Sequence, residues 1–216
     1  MTDLFKDLFR EYEQLAEEAD RAFSRVEKDY GAEMKCAAGC SDCCHSVFGL
    51  FLIESVYINH HFQKLDRKTR REAAPRLDRA DRDLLEVERR LSAYDHDPGA
   101  KALAMAGERV RCPLLGRDDR CVLYARRPIT CRVYGIPTVT GGVVRACWKA
   151  GFEKGRRYPV FDLDGAYRRL YRLSARLLER CGQRDTERAS LLLSVSRSIK
   201  TPVEELPLGG VKCPAG

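Results

Sequence analysis

The chain has 216 residues, of which 33% are charged and ten are cysteine, and its formal net charge is +7. That length can bury a core without covalent staples, so the cysteines are not needed merely to hold a small scaffold together. Residues 1–7 carry acids where an export signal would be basic. The longest apolar run, residues 47–53, is too short to span a bilayer. The expected setting is the cytoplasm, with no membrane contact. There thiols stay reduced, and clustered cysteines bind metal more often than they pair.

Residues 3–30 read as one amphipathic helix, with Leu4, Leu8, Tyr12, Leu15, Ala19, Ala22, Phe23 and Val26 at helical spacing and Gly31 as its stop. Residues 32–45 form a cysteine-dense loop. Residues 48–65 read as a buried helix, with a strand at its start as the alternative. A charged helix follows over 68–94, its main part beginning at Pro75, and residues 95–99 break it. A short helix occupies about 101–108. Residues 112–115 and 121–124, separated by Gly116 and two aspartates, predict a β-hairpin. Pro128 suits the first turn of a short helix carrying Cys131, and Gly141-Gly142 is a second turn signal. Helices over 167–181 and 186–199 come next, and the Pro/Gly-rich residues 207–216 form a mobile tail. The fold class is therefore mainly α: packed helices framing an irregular cysteine-rich segment with a small β-hairpin. By region, residues 1–31 are an N-terminal helix, 32–150 a cysteine-cluster metal-binding domain, and 151–206 C-terminal helices packed on it.

The first cysteine group is Cys36, Cys40, Cys43 and Cys44. On a continuous helix Cys36 and Cys43 would lie about 10 Å apart along the axis, too far for one ion with metal–sulfur bonds of about 2.3 Å. Gly39 lets the chain curl instead. The second group, Cys112, Cys121, Cys131 and Cys147, is dispersed, and turns must bring it together. Eight candidate ligands match two four-sulfur sites, or one site with spare thiols. All-sulfur ligation suits zinc or iron–sulfur; the compact first group favours an iron–sulfur cluster. Cys181 reads as a buried thiol on a helical stripe, and Cys213 as a tail residue. Between residues 109 and 149, nine basic residues are opposed only by Asp118 and Asp119. This excess is read as neutralising an anionic metal–thiolate centre. The alternatives are a solvated basic surface and, less favoured, a nucleic-acid patch.

Cys36-x3-Cys40-x2-Cys43-Cys44, then Cys112-Pro-Leu, Cys121-Val-Leu-Tyr124-Ala-Arg-Arg127-Pro128-Ile-Thr-Cys131-Arg132 and Cys147 resemble the YkgJ-like cysteine-cluster family, described as zinc- or iron-chelating. The resemblance covers about half the chain and implies chelation by these eight cysteines. The flagellin lysine-N-methylases look like a related branch, which implies an S-adenosylmethionine-dependent iron–sulfur enzyme as an alternative. The Cys36-x3-Cys40-x2-Cys43 spacing also equals the radical S-adenosylmethionine triad. The alternating βα pattern of such enzymes is absent downstream, as is a strand–glycine-rich-turn–helix unit. A zinc-stapled interaction module is the third reading. No catalytic residue stands out, and the sequence does not name a protein partner.

Arg127 and Arg132, with Tyr134, accompany the ligands. The arginines are expected to donate hydrogen bonds to thiolate sulfur or to nearby carbonyls, or else to be surface residues. His45 follows Cys44 and could replace one thiolate. For it and for His60 and His61, surface or core roles are favoured.

Overall fold

The computed structural model describes residues 5–36, 39–183, 187–203 and 205–206. Seven helices are described: α1 (Lys6–Tyr30), α2 (Leu52–Gln63), α3 (Arg67–Leu91), α4 (Pro98–Gly107), α5 (Ile129–Val133), α6 (Leu163–Arg180) and α7 (Val195–Lys200). Three short strands, β1 (Thr138–Thr140), β2 (Val143–Arg145) and β3 (Phe161–Asp162), form one sheet in the order β2-β1-β3. The fold is mainly α. No helix among the described residues is long and apolar enough to cross a membrane.

The centre is α2, which buries residues around most of its circumference, as a helix enclosed by others must. On one side lies α1, with Leu8, Tyr12, Leu15, Ala19 and Val26 buried as the periodicity predicts. On another lies α6, where Ser174 Oγ accepts from Ile53 N at 3.1 Å and donates to Leu170 O at 2.8 Å. On a third lies α7, whose end is held by Asn59 Nδ2 donating to Ser198 O at 2.8 Å and Thr201 O at 2.9 Å. One continuous apolar cluster joins these helices to Leu114, Leu123, Ile129, Val133 and Ile136, so the cysteine-bearing segment shares the helical core. Arg169–Glu18, Arg176–Glu11 and Arg180–Asp7 pair α6 with α1 along an exposed seam; such half-exposed pairs contribute at most about 1 kcal/mol each.

Four expectations need correction. Pro75 lies inside α3, not at its start. It sits on the exposed face, so the carbonyl of Arg71, which proline cannot bond, faces water. Arg76 Nη1 donates to the neighbouring Glu72 carbonyl at 2.8 Å. The 112–124 hairpin shrinks to a single bridge, Leu115 with Cys121, supported by Gly116 N to Arg120 O at 2.8 Å and Val122 N to Leu114 O at 2.9 Å. The true hairpin is β1–β2, turned by Gly141 and Gly142, both at positive φ. The helix expected over 186–199 is broken, because Leu193 leaves helical geometry to exchange both backbone hydrogen bonds with Leu50 at 2.8 and 2.9 Å. Cys181 is buried but disulfide-bonded, not a lone thiol. The expectations for Leu4, Thr186, Cys213 and residues 207–216 lie outside the described residues.

Candidate metal centre

Backbone pairing decides where each sulfur goes. Gly39, at φ +89°, turns the chain between Cys36 and Cys40. A short 3-10 turn, Asp42–His45, then carries Cys43 and Cys44. His45 is held locally, its Nδ1 3.0 Å from Ser41 O. Cys112 N donates to Cys44 O at 2.7 Å, and Val110 N to His45 O at 2.9 Å, so the second cysteine segment lies beside the first. The Leu115–Cys121 bridge folds Cys121 back toward Cys112. Cys131 rides on α5, whose first amide, Ile129 N, is held by Glu54 Oε1 of α2 at 3.0 Å. Cys147 returns from the β hairpin, and Gly151 N bonds Glu33 O at 2.7 Å to dock that return beside Cys36. Gly135 permits this approach: a Cβ there would meet the Cys36 Cβ at 2.8 Å and Sγ at 3.0 Å.

The eight cysteines line two adjoining cavities. The larger, about 70 Å³, takes Cys43, Cys44, Cys112, Cys121 and Cys131 together with Arg127, and its walls are mostly apolar, including Phe48, Ile58 and Leu123. The smaller, about 10 Å³, takes Cys36, Cys40, Cys43 and Cys147 with Asp42, Tyr134, Gly135 and Lys149. Cys43 stands on both walls. All eight are free and half-buried. Among the described residues, no three His, Cys, Asp or Glu side chains are already drawn in to metal-holding distance, so the thiols must close in around any ion they bind.

Burial and mutual repulsion raise the thiols of Cys36, Cys112 and Cys131. Cys36 is pushed up to about 11, by burial and then by Cys40, Cys43 and Cys147. Cys112 is pushed up to about 12, by burial and then by Cys121 and Cys43. Burial also raises Cys131, followed by Cys43, Cys112 and Cys121. Cys147 is raised by burial and then by Asp42 and Cys40. The positive charge of Arg127 opposes the rise at Cys36, Cys43 and Cys121, placing that guanidinium within the electrostatic reach of both groups.

Arg132 is 5% exposed. Its Nε donates to Arg127 O at 2.9 Å and its Nη2 to Ala125 O at 2.9 Å, while Nη1 pairs with Asp20 of α1. Arg127 shares Asp20 at 3.1 Å and stacks over the Tyr124 ring at 4.2 Å. The partners found for both arginines are carbonyls, a carboxylate and a ring. His60 and His61 pack on Phe9 and Tyr57, with centroids 5.4 and 4.4 Å apart. Burial lowers both, His61 to about 4.

Several contributors escape sequence reasoning. Asp42, only 4% exposed, salt-bridges Arg109 at 2.7 Å and Lys149 at 3.2 Å; its place between Cys40 and Cys43 was the available signal. Burial alone would raise its pKa, but Lys149 and Arg109 hold it below the usual carboxylate range. Glu54 is buried, and nothing in its apolar helical context marks it. The lone tryptophan, Trp148, follows Cys147 directly and is 74% exposed.

A helical frame that delivers eight free thiols to one region defines a sulfur-donor binding domain. Residues 35–147 match the family model CxxCxxCC, described as a "Putative zinc- or iron-chelating domain". With more than half its length covered, the chain belongs to that family, and the resemblance to YkgJ-like proteins falls on the same stretch. No curated protein and no solved structure matches the chain.

Proposed function

We propose that the chain binds iron or zinc through Cys36, Cys40, Cys43, Cys44, Cys112, Cys121, Cys131 and Cys147, with an iron–sulfur cluster favoured over zinc. The observation that carries this is the delivery of these thiols, from segments more than 100 residues apart, to two adjoining cavities. The donor chemistry fits. Soft thiolates suit zinc and iron–sulfur centres. Five sulfurs around one cavity exceed what a single tetrahedral ion uses, which favours a multinuclear occupant there. The bound group would supply Lewis acidity if zinc and electron transfer if a cluster.

The chain's own residues have separable tasks. The thiols give up protons as they bind. Arg127 offsets the resulting negative charge, while Arg132 fixes the loop carbonyls that frame the site. The apolar walls exclude water, which strengthens the attraction between thiolate and cation. The site requires its eight thiols in the reduced form. The lysine-methylase alternative rests on the resemblance alone, and S-adenosylmethionine binding tests it.

Anaerobic purification followed by iron, sulfide and zinc analysis tests the proposal. Brown protein with iron and sulfide in stoichiometric amounts supports the cluster. Colourless protein with stoichiometric zinc moves the reading to the zinc-stapled module. Protein that takes up neither metal, with its eight thiols reduced, overturns chelation.

A further inference from the structure

The smaller cavity holds an oxygen donor that a cysteine pattern does not reveal. The Asp42 side chain is 3% exposed, and its two oxygens have different work. Oδ1 takes the cations, Arg109 Nη2 at 2.7 Å and Lys149 Nζ at 3.2 Å. Oδ2 faces Tyr134 Oη at 3.2 Å and Cys147 Sγ at 3.9 Å. One oxygen is therefore neutralised from behind, while the other points at a candidate sulfur ligand within the cavity.

Cys43, the rival for a fourth ligand, has another commitment. It also lines the larger cavity beside Cys44, Cys112, Cys121 and Cys131. The smaller cavity's volume of about 10 Å³ is near that of a single water-sized sphere, which fits one ion and not a cluster.

We propose that this cavity is a separate mononuclear site of three sulfurs and one oxygen, Cys36, Cys40, Cys147 and Asp42 Oδ2, for one divalent ion of the zinc or ferrous class. The inference rests on the chelating function proposed above. Charge supports it: three thiolates and one carboxylate carry four negative charges. A divalent ion with Arg109 and Lys149 offsets all four. Zinc accepts sulfur and carboxylate oxygen together in tetrahedral sites. On binding, the ion takes the place of the Cys147 thiol proton between Sγ and Oδ2; that proton and those of Cys36 and Cys40 leave to solvent. The carboxylate is already ionised and releases none.

The experiment uses the full chain, reduced and stripped of metal, then titrated with cobalt(II). Thiolate-to-cobalt absorption grows with the number of cobalt–sulfur bonds, so it counts ligands as well as ions. Asp42→Asn is expected to lose one equivalent of cobalt, while Cys43→Ser keeps that equivalent. Asp42→Cys keeps it and raises the absorption of that site by about a third, from three sulfurs to four. Lys149→Gln removes an ion pair without removing the ligand and also retains the equivalent. If Asp42→Asn keeps the full equivalents, or Cys43→Ser loses the one in question, the proposal is overturned. It is equally overturned if Lys149→Gln and Asp42→Asn lose it alike, since Asp42 then acts only through its ion pairs. Should Asp42→Asn not fold, X-ray absorption of the zinc-loaded wild type decides. An oxygen at about 2.0–2.2 Å beside sulfur at about 2.3 Å supports the site, and sulfur alone overturns it. Wild type that binds no ion at all refutes chelation itself, a result distinct from any of these.

Discussion

Glu54→Gln probes how the helical core holds the cysteine-bearing segment. Glu54 Oε1 accepts Ile129 N at 3.0 Å and Oε2 accepts Phe51 N at 3.3 Å. Full burial raises its pKa from 4.5 to about 7, against the pull of those two amides and the charge of Arg132. Between pH 4.5 and 7 the unfolded chain has therefore released a proton that the folded chain keeps. Stability contributed by this group is greatest below pH 4.5 and declines as pH rises, by about 1.4 kcal/mol per unit, or roughly 3 kcal/mol in all, before levelling above pH 7. Glutamine does not titrate and offers one acceptor oxygen, so one amide faces the wrong group, at a cost of about 1–3 kcal/mol. The variant should thus be clearly weaker than wild type near pH 5 and equal or more stable at pH 8. Urea unfolding of both proteins, reduced and metal-free, across that range measures the difference. A gap that stays constant with pH would show that Glu54 is ionised in the fold, and the reasoning would fail.

Other outcomes follow from the same geometry. Arg132→Ala leaves the carbonyls of Ala125 and Arg127 without their donor and cuts one tie to Asp20. A loss of about 3 kcal/mol is expected in denaturant titration, with reduced metal content; unchanged stability and content would remove its framing role. Gly135→Ala sets a Cβ against Cys36 and should cost about 1–3 kcal/mol, with weaker cobalt binding in parallel titrations. Among the described residues, the buried Tyr12 Oη has no hydrogen-bond partner, so Tyr12→Phe should change the unfolding midpoint little or raise it, within about 1 kcal/mol. Because Cys36 and Cys112 sit near 11 and 12, binding must expel their protons. Apparent metal affinity should then rise about tenfold per pH unit for each such thiol through neutrality, read as proton release in weakly buffered solution.

The long stripes were legible in the sequence because burial there repeats with the helical period. Leu8, Tyr12, Leu15 and Val26 point inward, as their spacing says. The misplaced helix and hairpin share one cause, contacts between residues distant in the chain. Leu193 ends a helical run because Leu50, far upstream, offers it a backbone partner. The 112–124 turn stays short of a hairpin because Cys112 spends its amide on Cys44. The cysteines announced a sulfur-rich centre, but spacing could not say which share a cavity, since that division is set by the Cys44–Cys112 pairing and the Gly151–Glu33 hydrogen bond. Asp42 was hidden for a simpler reason: amid 32 acidic residues, only its burial and its neighbours distinguish it.

Trp148, beside Cys147 and with Lys149 Nζ 5.3 Å from its ring, makes the protein its own fluorometer. With one indole in the chain, all tryptophan emission originates next to a single thiol of the smaller cavity. An open-shell ion held there quenches that light, whereas closed-shell zinc leaves it bright.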